Sequence, residues 1–178
     1  MLGNFKKAIF RALCCVLIGG GLMAGPNPEE LFNLGMLSYD KQDFSKARKY
    51  FEKACDLKDG GGCGALGHLY DDGKGVEKNS KKAAQFYSKA CDLNNGRGCN
   101  NLGVLYATGL GVEKDSTKAA QFCSKACNLN NSWGCGYLGF LYEYGQGVEK
   151  DLTKAAYFYS KACKLGEQLA CESLKELR

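Results

Sequence analysis

Histidine is almost absent from this chain: His68 is the only one in 178 residues. That leaves little room for a Cys/His metal site or a Cys–His catalytic pair. Long apolar runs are also missing. The uncharged stretch Ala12 to Pro28 is broken by Gly19, Gly20 and Gly21, and a membrane-spanning helix needs about 20 consecutive apolar residues. No segment alternates apolar and polar residues well enough to suggest a strand. Excess charge is lacking too, with 24 basic against 19 acidic residues. Apolar content is ordinary at 45%, so the composition is not that of a disordered chain.

The first 28 residues hold no acid, and Lys6, Lys7 and Arg11 precede the apolar stretch Ala12 to Ile18. This is the layout of a secretory signal peptide over residues 1–24, with cleavage expected after Ala24. Removing it leaves 21 basic and 19 acidic residues. A balance so close to neutral gives no electrostatic case for nucleic acid. The expected product is a secreted or periplasmic monomer with no membrane span.

Beyond residue 58 the chain repeats itself. Leu-Gly-x-Leu-Tyr, Gly-x-Gly-Val-Glu-Lys, Lys-Ala-Ala and Phe-x-Ser-Lys-Ala-Cys return three times at a period of 36, as Leu66, Leu102, Leu138 and Ala83, Ala119, Ala155 show. Such a period marks a stacked array. The units are 59–94, 95–130 and 131–166. A shorter unit, 25–58, precedes them without the inner glycine motif, and 167–178 reads as a capping helix. Each unit reads as two helices. Cys63, Leu66, Gly67 and Tyr70 keep helical spacing, Gly73 and Gly75 break the first helix, and Asn79, Asp115 and Asp151 cap the second. Ala83, Tyr87 and Ala90 form a packing seam. The fold expected is all-α.

Cysteine is abundant, at 11 residues. Eight of them fall into pairs eight residues apart: Cys55 and Cys63, Cys91 and Cys99, Cys127 and Cys135, Cys163 and Cys171. Each pair joins the end of one second helix to the next first helix. Those faces meet in an antiparallel turn, so disulfides are expected in that connectivity. Zinc is the competing reading, and it is poorly served by this spacing without histidines. No metal or cofactor is expected. Cys14 and Cys15 fall in the expected signal peptide, and Cys123 is left as a free thiol on the seam, where sister units hold Tyr87 and Tyr159. A cysteine there leaves less volume, so Cys123→Tyr is expected to be tolerated.

These motifs resemble the Sel-like repeats, relatives of the tetratricopeptide repeats. With the cysteine pairs and the signal peptide they resemble the Helicobacter cysteine-rich proteins, over roughly residues 29–178. The resemblance implies a right-handed α/α superhelix (solenoid) with one disulfide per repeat junction. It also implies β-lactam binding with weak β-lactamase activity and a link to peptidoglycan. The short first unit and Cys123 depart from the pattern. The residues themselves show no catalytic set. Ser38-Tyr39-Asp40-Lys41 is the only Ser-x-x-Lys, and Ser-Asp-Asn and Lys-Thr-Gly are absent. The catalytic residues are therefore unknown.

Positions that stay constant between units are explained by packing, and those that change are free to serve a ligand. By similarity to tetratricopeptide repeats, first helices line the concave face. The changing residues taken as the candidate binding set are Met36, Tyr39, His68, Asp71, Arg97, Asn100, Asn101, Val104, Phe140, Glu143 and Tyr144, with Phe32, Asp72 and Trp133 also variable. Asn100 and Asn101 could each pair with a backbone amide. The expected ligand is a β-lactam or peptide-like molecule, or a protein partner held in the groove without catalysis.

Overall fold

The computed structural model describes residues 25–177; the expected signal peptide lies outside the described residues. Among these are nine α-helices and no strand. They are α1 Pro28–Asp40, α2 Phe44–Asp56, α3 Gly60–Asp72, α4 Ser80–Asp92, α5 Gly96–Thr108, α6 Ser116–Asn128, α7 Ser132–Tyr144, α8 Leu152–Lys164 and α9 Gln168–Glu176. Consecutive helices pack as antiparallel pairs, and the odd-numbered helices also touch one another along the array. This is an α/α solenoid.

The helix starts are written locally. Asn27, Asp43, Asp59, Asn79, Asn95, Asp115, Asn131 and Asp151 each accept a hydrogen bond from the backbone N–H three residues on. That satisfies one of the otherwise unpaired donors of each first turn. Gly73, Gly109 and Gly145 end α3, α5 and α7 in the left-handed region, at φ 74°, 77° and 67°, a conformation that costs glycine little. The second glycine of each inner loop serves stacking. A Cβ on Gly111 would collide with the backbone of Ser80 at the start of α4, and one on Gly147 with Ser116 at the start of α6. The motif is therefore both a turn and a contact between units.

Between the two helices of a unit, each tyrosine of Leu-Gly-x-Leu-Tyr stacks on the phenylalanine of Phe-x-Ser-Lys. The centroids are 5.5 Å apart for Tyr70–Phe86, 5.4 Å for Tyr106–Phe122 and 5.5 Å for Tyr142–Phe158. Lys82, Lys118 and Lys154 lie over the tyrosine rings. The seam is a column of buried residues, Phe51, Tyr87, Cys123 and Tyr159, at 1%, 1%, 0% and 4% exposure. Each packs on a glycine of its own unit: Gly35, Gly67, Gly103 and Gly139.

Tyr137 of the next unit packs against the core cluster that holds Cys123. In the next unit Phe51 faces Ala65, Tyr87 faces Asn101, Tyr159 faces Ser173, and Cys123 faces Tyr137. Where the seam residue is large its neighbour is small, and the one small seam residue meets a tyrosine. The structure argues against the expected tolerance of Cys123→Tyr, because a tyrosine there would compete with Tyr137 for space.

Disulfides join Cys55 to Cys63, Cys91 to Cys99, Cys127 to Cys135 and Cys163 to Cys171, with Cα–Cα distances of 4.6, 4.5, 4.4 and 4.8 Å. These lie at the short end of the disulfide range. The glycine before the second cysteine permits the approach. A Cβ on Gly62, Gly98 or Gly134 would stand 2.6, 2.5 and 2.5 Å from the methyl carbons of Ala54, Ala90 and Ala126. Cys123 is the free, buried thiol among the described residues.

Candidate functional site

A groove of about 740 Å³ runs along the odd-numbered helices. Phe32, Met36 and Tyr39 come from α1; Gly64, Ala65, His68, Asp71 and Asp72 from α3; Arg97, Asn101, Val104 and Leu105 from α5; and Trp133 from α7. The seam rings Phe51 and Tyr87 form part of its floor. A helix presents every third or fourth residue on one side, which is why 32, 36 and 39 share a wall, as do 97, 101 and 104.

One end carries a polar network. Lys74 Nζ donates to the Tyr39 hydroxyl at 2.6 Å and pairs with Asp72 at 2.8 Å, while His68 Nε2 stands 3.4 Å from Asp72. The hydrogen bond from Lys74 holds the Asp72 carboxyl below its ordinary range, and the same bond raises the Lys74 ammonium. At the other end the Arg97 guanidinium lies 5.5 Å from the centre of the Trp133 ring. Tyr87 in the floor is pushed above the ordinary phenol range, first by burial and then by the negative charge of Asp71.

Of the candidate set, Met36, Tyr39, His68, Asp71, Arg97, Asn101 and Val104 come together in this groove. Asn100, Phe140, Glu143 and Tyr144 do not line it. Asn100 is buried, at 7% exposure. Its Nδ2 donates to Asn101 Oδ1 at 3.4 Å, and its own Oδ1 is buried without a partner. It cannot act as an anchor on the surface. Phe140 packs between Tyr137 and Tyr144 and against the core of the last full unit. Glu143 accepts a hydrogen bond from the Tyr159 hydroxyl at 2.7 Å. Lys74 was not among the candidates, yet a signal for it existed. It stands between Gly73 and Gly75, where the other units have Leu110 and Gln146.

Ser38 sits elsewhere, beside a small cleft of about 100 Å³ shared with Lys41 and Tyr50. It is buried, and its hydroxyl donates to the Leu34 carbonyl at 2.9 Å. Lys41 is already past the end of α1, with backbone angles that leave the helix.

The sequence matches the Sel1 repeat at residues 62–95, 96–131 and 134–167, and the tetratricopeptide repeat at 28–60. The Helicobacter pylori protein named "Putative beta-lactamase HcpC" is 60% identical over 82 residues, which cover 46% of this chain and 28% of that protein. The match thus spans under a third of the length of this curated relative. Among solved structures, Helicobacter pylori cysteine rich protein B shares 43% identity at a TM-score of 0.62, over 74% of this chain and 95% of that one. The uropathogenic Escherichia coli antigen c5321, which displays an SLR fold, has a TM-score of 0.77 at 30% identity, over 84% of this chain and 33% of its own. Three consecutive repeat matches, the bridged cysteine pairs and the likeness to a cysteine-rich protein along nearly its whole length lead to one assignment: this chain belongs to the Sel1 repeat family, among the Helicobacter cysteine-rich proteins.

Proposed function

We propose that the protein is an extracytoplasmic binding module that holds an extended peptide segment in the groove along its odd-numbered helices. One observation carries this reading: apolar walls and separate polar groups from α1, α3, α5 and α7 line a single groove, in which residues that vary between units stand over a floor of packing residues. An elongated, mixed surface of this kind suits a chain-like ligand with spaced side chains. Four disulfides and the Helicobacter pylori relatives support residence in an oxidising compartment, secreted or periplasmic. Selection of a random peptide library on the intact protein tests the reading. Enriched peptides should bind the wild type and weaken by at least about tenfold on Val104→Arg, on the scale of a lost interface anchor. Failure to enrich any peptide would remove the proposal.

The names of the relatives favour a second reading, turnover of β-lactams. It would call for a nucleophile, a base and an oxyanion site together. Ser38, engaged with Leu34, does not supply the first. A chromogenic β-lactam assay with mass detection of an acyl adduct decides this reading, and Ser38→Ala should leave any slow turnover largely intact. A stable adduct on Ser38 would make the protein a serine hydrolase.

A further inference from the structure

The groove contains several charges, and some are neutralised within it. Asp72 is paired with Lys74 and faced by His68. Two are not. Among the described residues Asp71 has no ion pair, and Arg97 lies on Trp133 with no carboxylate within salt-bridge distance. The repeat does not call for either charge. The positions equivalent to Asp71 hold Ala107 and Glu143, and those equivalent to Arg97 hold Gly61 and Trp133. Glu143, moreover, is engaged by Tyr159. Both free charges border apolar walls, which concentrate their fields on whatever enters the groove.

Their separation follows from helix geometry. Arg97 stands one unit along from Gly61, and Asp71 is ten residues beyond Gly61 on α3. Ten residues rise about 15 Å along a helix axis, and neighbouring helices lie about 10 Å apart. The two backbone positions are therefore about 18 Å apart, the length of about five residues of extended chain.

We infer that the groove recognises an extended peptide carrying a basic side chain and an acidic side chain about five residues apart, the base held at Asp71 and the acid at Arg97. This rests on the peptide-binding reading and names its ligand. The Arg97 guanidinium lies over the Trp133 ring, and its planar set of donors suits a two-point grip on a carboxylate.

The test uses capped heptapeptides of alanine and serine with Lys and Glu five positions apart, in both orders, and a control with Gln at both sites. Trp133 is the only tryptophan, so its fluorescence reports binding at the Arg97 end, and calorimetry gives an independent Kd. At least one charged order should bind about three- to tenfold more tightly per charge than the control, with the gain shrinking in salt. Asp71→Asn should abolish the preference for Lys alone, and Arg97→Gln that for Glu alone. Arg97→Glu should turn the preference toward a peptide with two lysines, a reversal that mere loss of structure cannot produce. If the Gln control binds as tightly as the charged peptides, the charge pair is refuted while peptide binding stands. If none of the heptapeptides binds but library-selected peptides do, the inference falls alone. If neither kind binds, both readings fall.

Discussion

Cys123 shows how one side chain is understood only with its neighbour. Burial pushes its thiol up to about 12, from an ordinary value near 9. The thiolate, the reactive form, is therefore suppressed at neutral pH. Iodoacetamide at pH 8 should leave Cys123 unlabelled in the folded protein and modify it once denaturant is added; labelling of the native state would contradict its burial. The pairing with Tyr137 makes a sharper prediction. Cys123→Tyr alone overfills the seam and should cost about 1–3 kcal/mol. Tyr137→Ser alone opens a cavity and should also destabilise, by about 1–3 kcal/mol given its partial exposure. Together they recreate the Tyr87–Asn101 and Tyr159–Ser173 arrangements. The double variant should be more stable than the sum of the two losses predicts, by at least about 1 kcal/mol in a denaturation cycle. Strict additivity would show that the two positions do not share space.

At the scale of elements, the junction between α4 and α5 depends on one absent methyl group. An alanine in the interior of a helix usually improves on glycine by about 0.5–1 kcal/mol. At Gly98 the added Cβ would stand 2.5 Å from the Ala90 methyl carbon, on a backbone already drawn close by Cys91–Cys99. The clash should prevail, and Gly98→Ala should lose about 1–3 kcal/mol in urea denaturation. A gain in stability would mean that the junction can open without cost. The helix pairs themselves were legible in advance, because caps, breaking glycines and spacing are local and recur in each unit. Less legible was the second glycine of the inner loop. Its role at Gly111 lies in contact with Ser80, some thirty residues earlier and in another unit.

The whole molecule sets the order in which its bridges open. At the inner junctions Cys91, Cys99, Cys127 and Cys135 are all fully shielded. At the outer ones Cys55, Cys163 and Cys171 are half-buried. Accessible disulfides exchange faster with an external thiol. Under mild dithiothreitol the Cys163–Cys171 and Cys55–Cys63 bridges should be reduced first and the inner two last, as read by alkylation and peptide mapping. Each loop so closed contributes roughly 2–3 kcal/mol by the chain-entropy model. In a stacked array that loss is felt mainly by adjoining units. Hydrogen exchange after partial reduction should thus rise in α8 and α9 before α5 and α6. Early opening of Cys91–Cys99 would contradict this order.

Period, composition and cysteine spacing determined the repeat, the helix boundaries, the solenoid and the candidate bridges, because each of these follows from chemistry within a few residues of chain. The binding surface was only half determined. Adjacent residues in a helix differ by about 100° in direction, so the sequence could offer Asn100 and Asn101 together. Only the packing of α5 between its neighbours sends the first into the interior and the second into the groove. Likewise Lys74 reaches Tyr39 across 35 positions, and Tyr137 fills the space beside Cys123. Variation between units shows which positions are released from packing; where each released side chain points, and what meets it there, is decided by how the units stack.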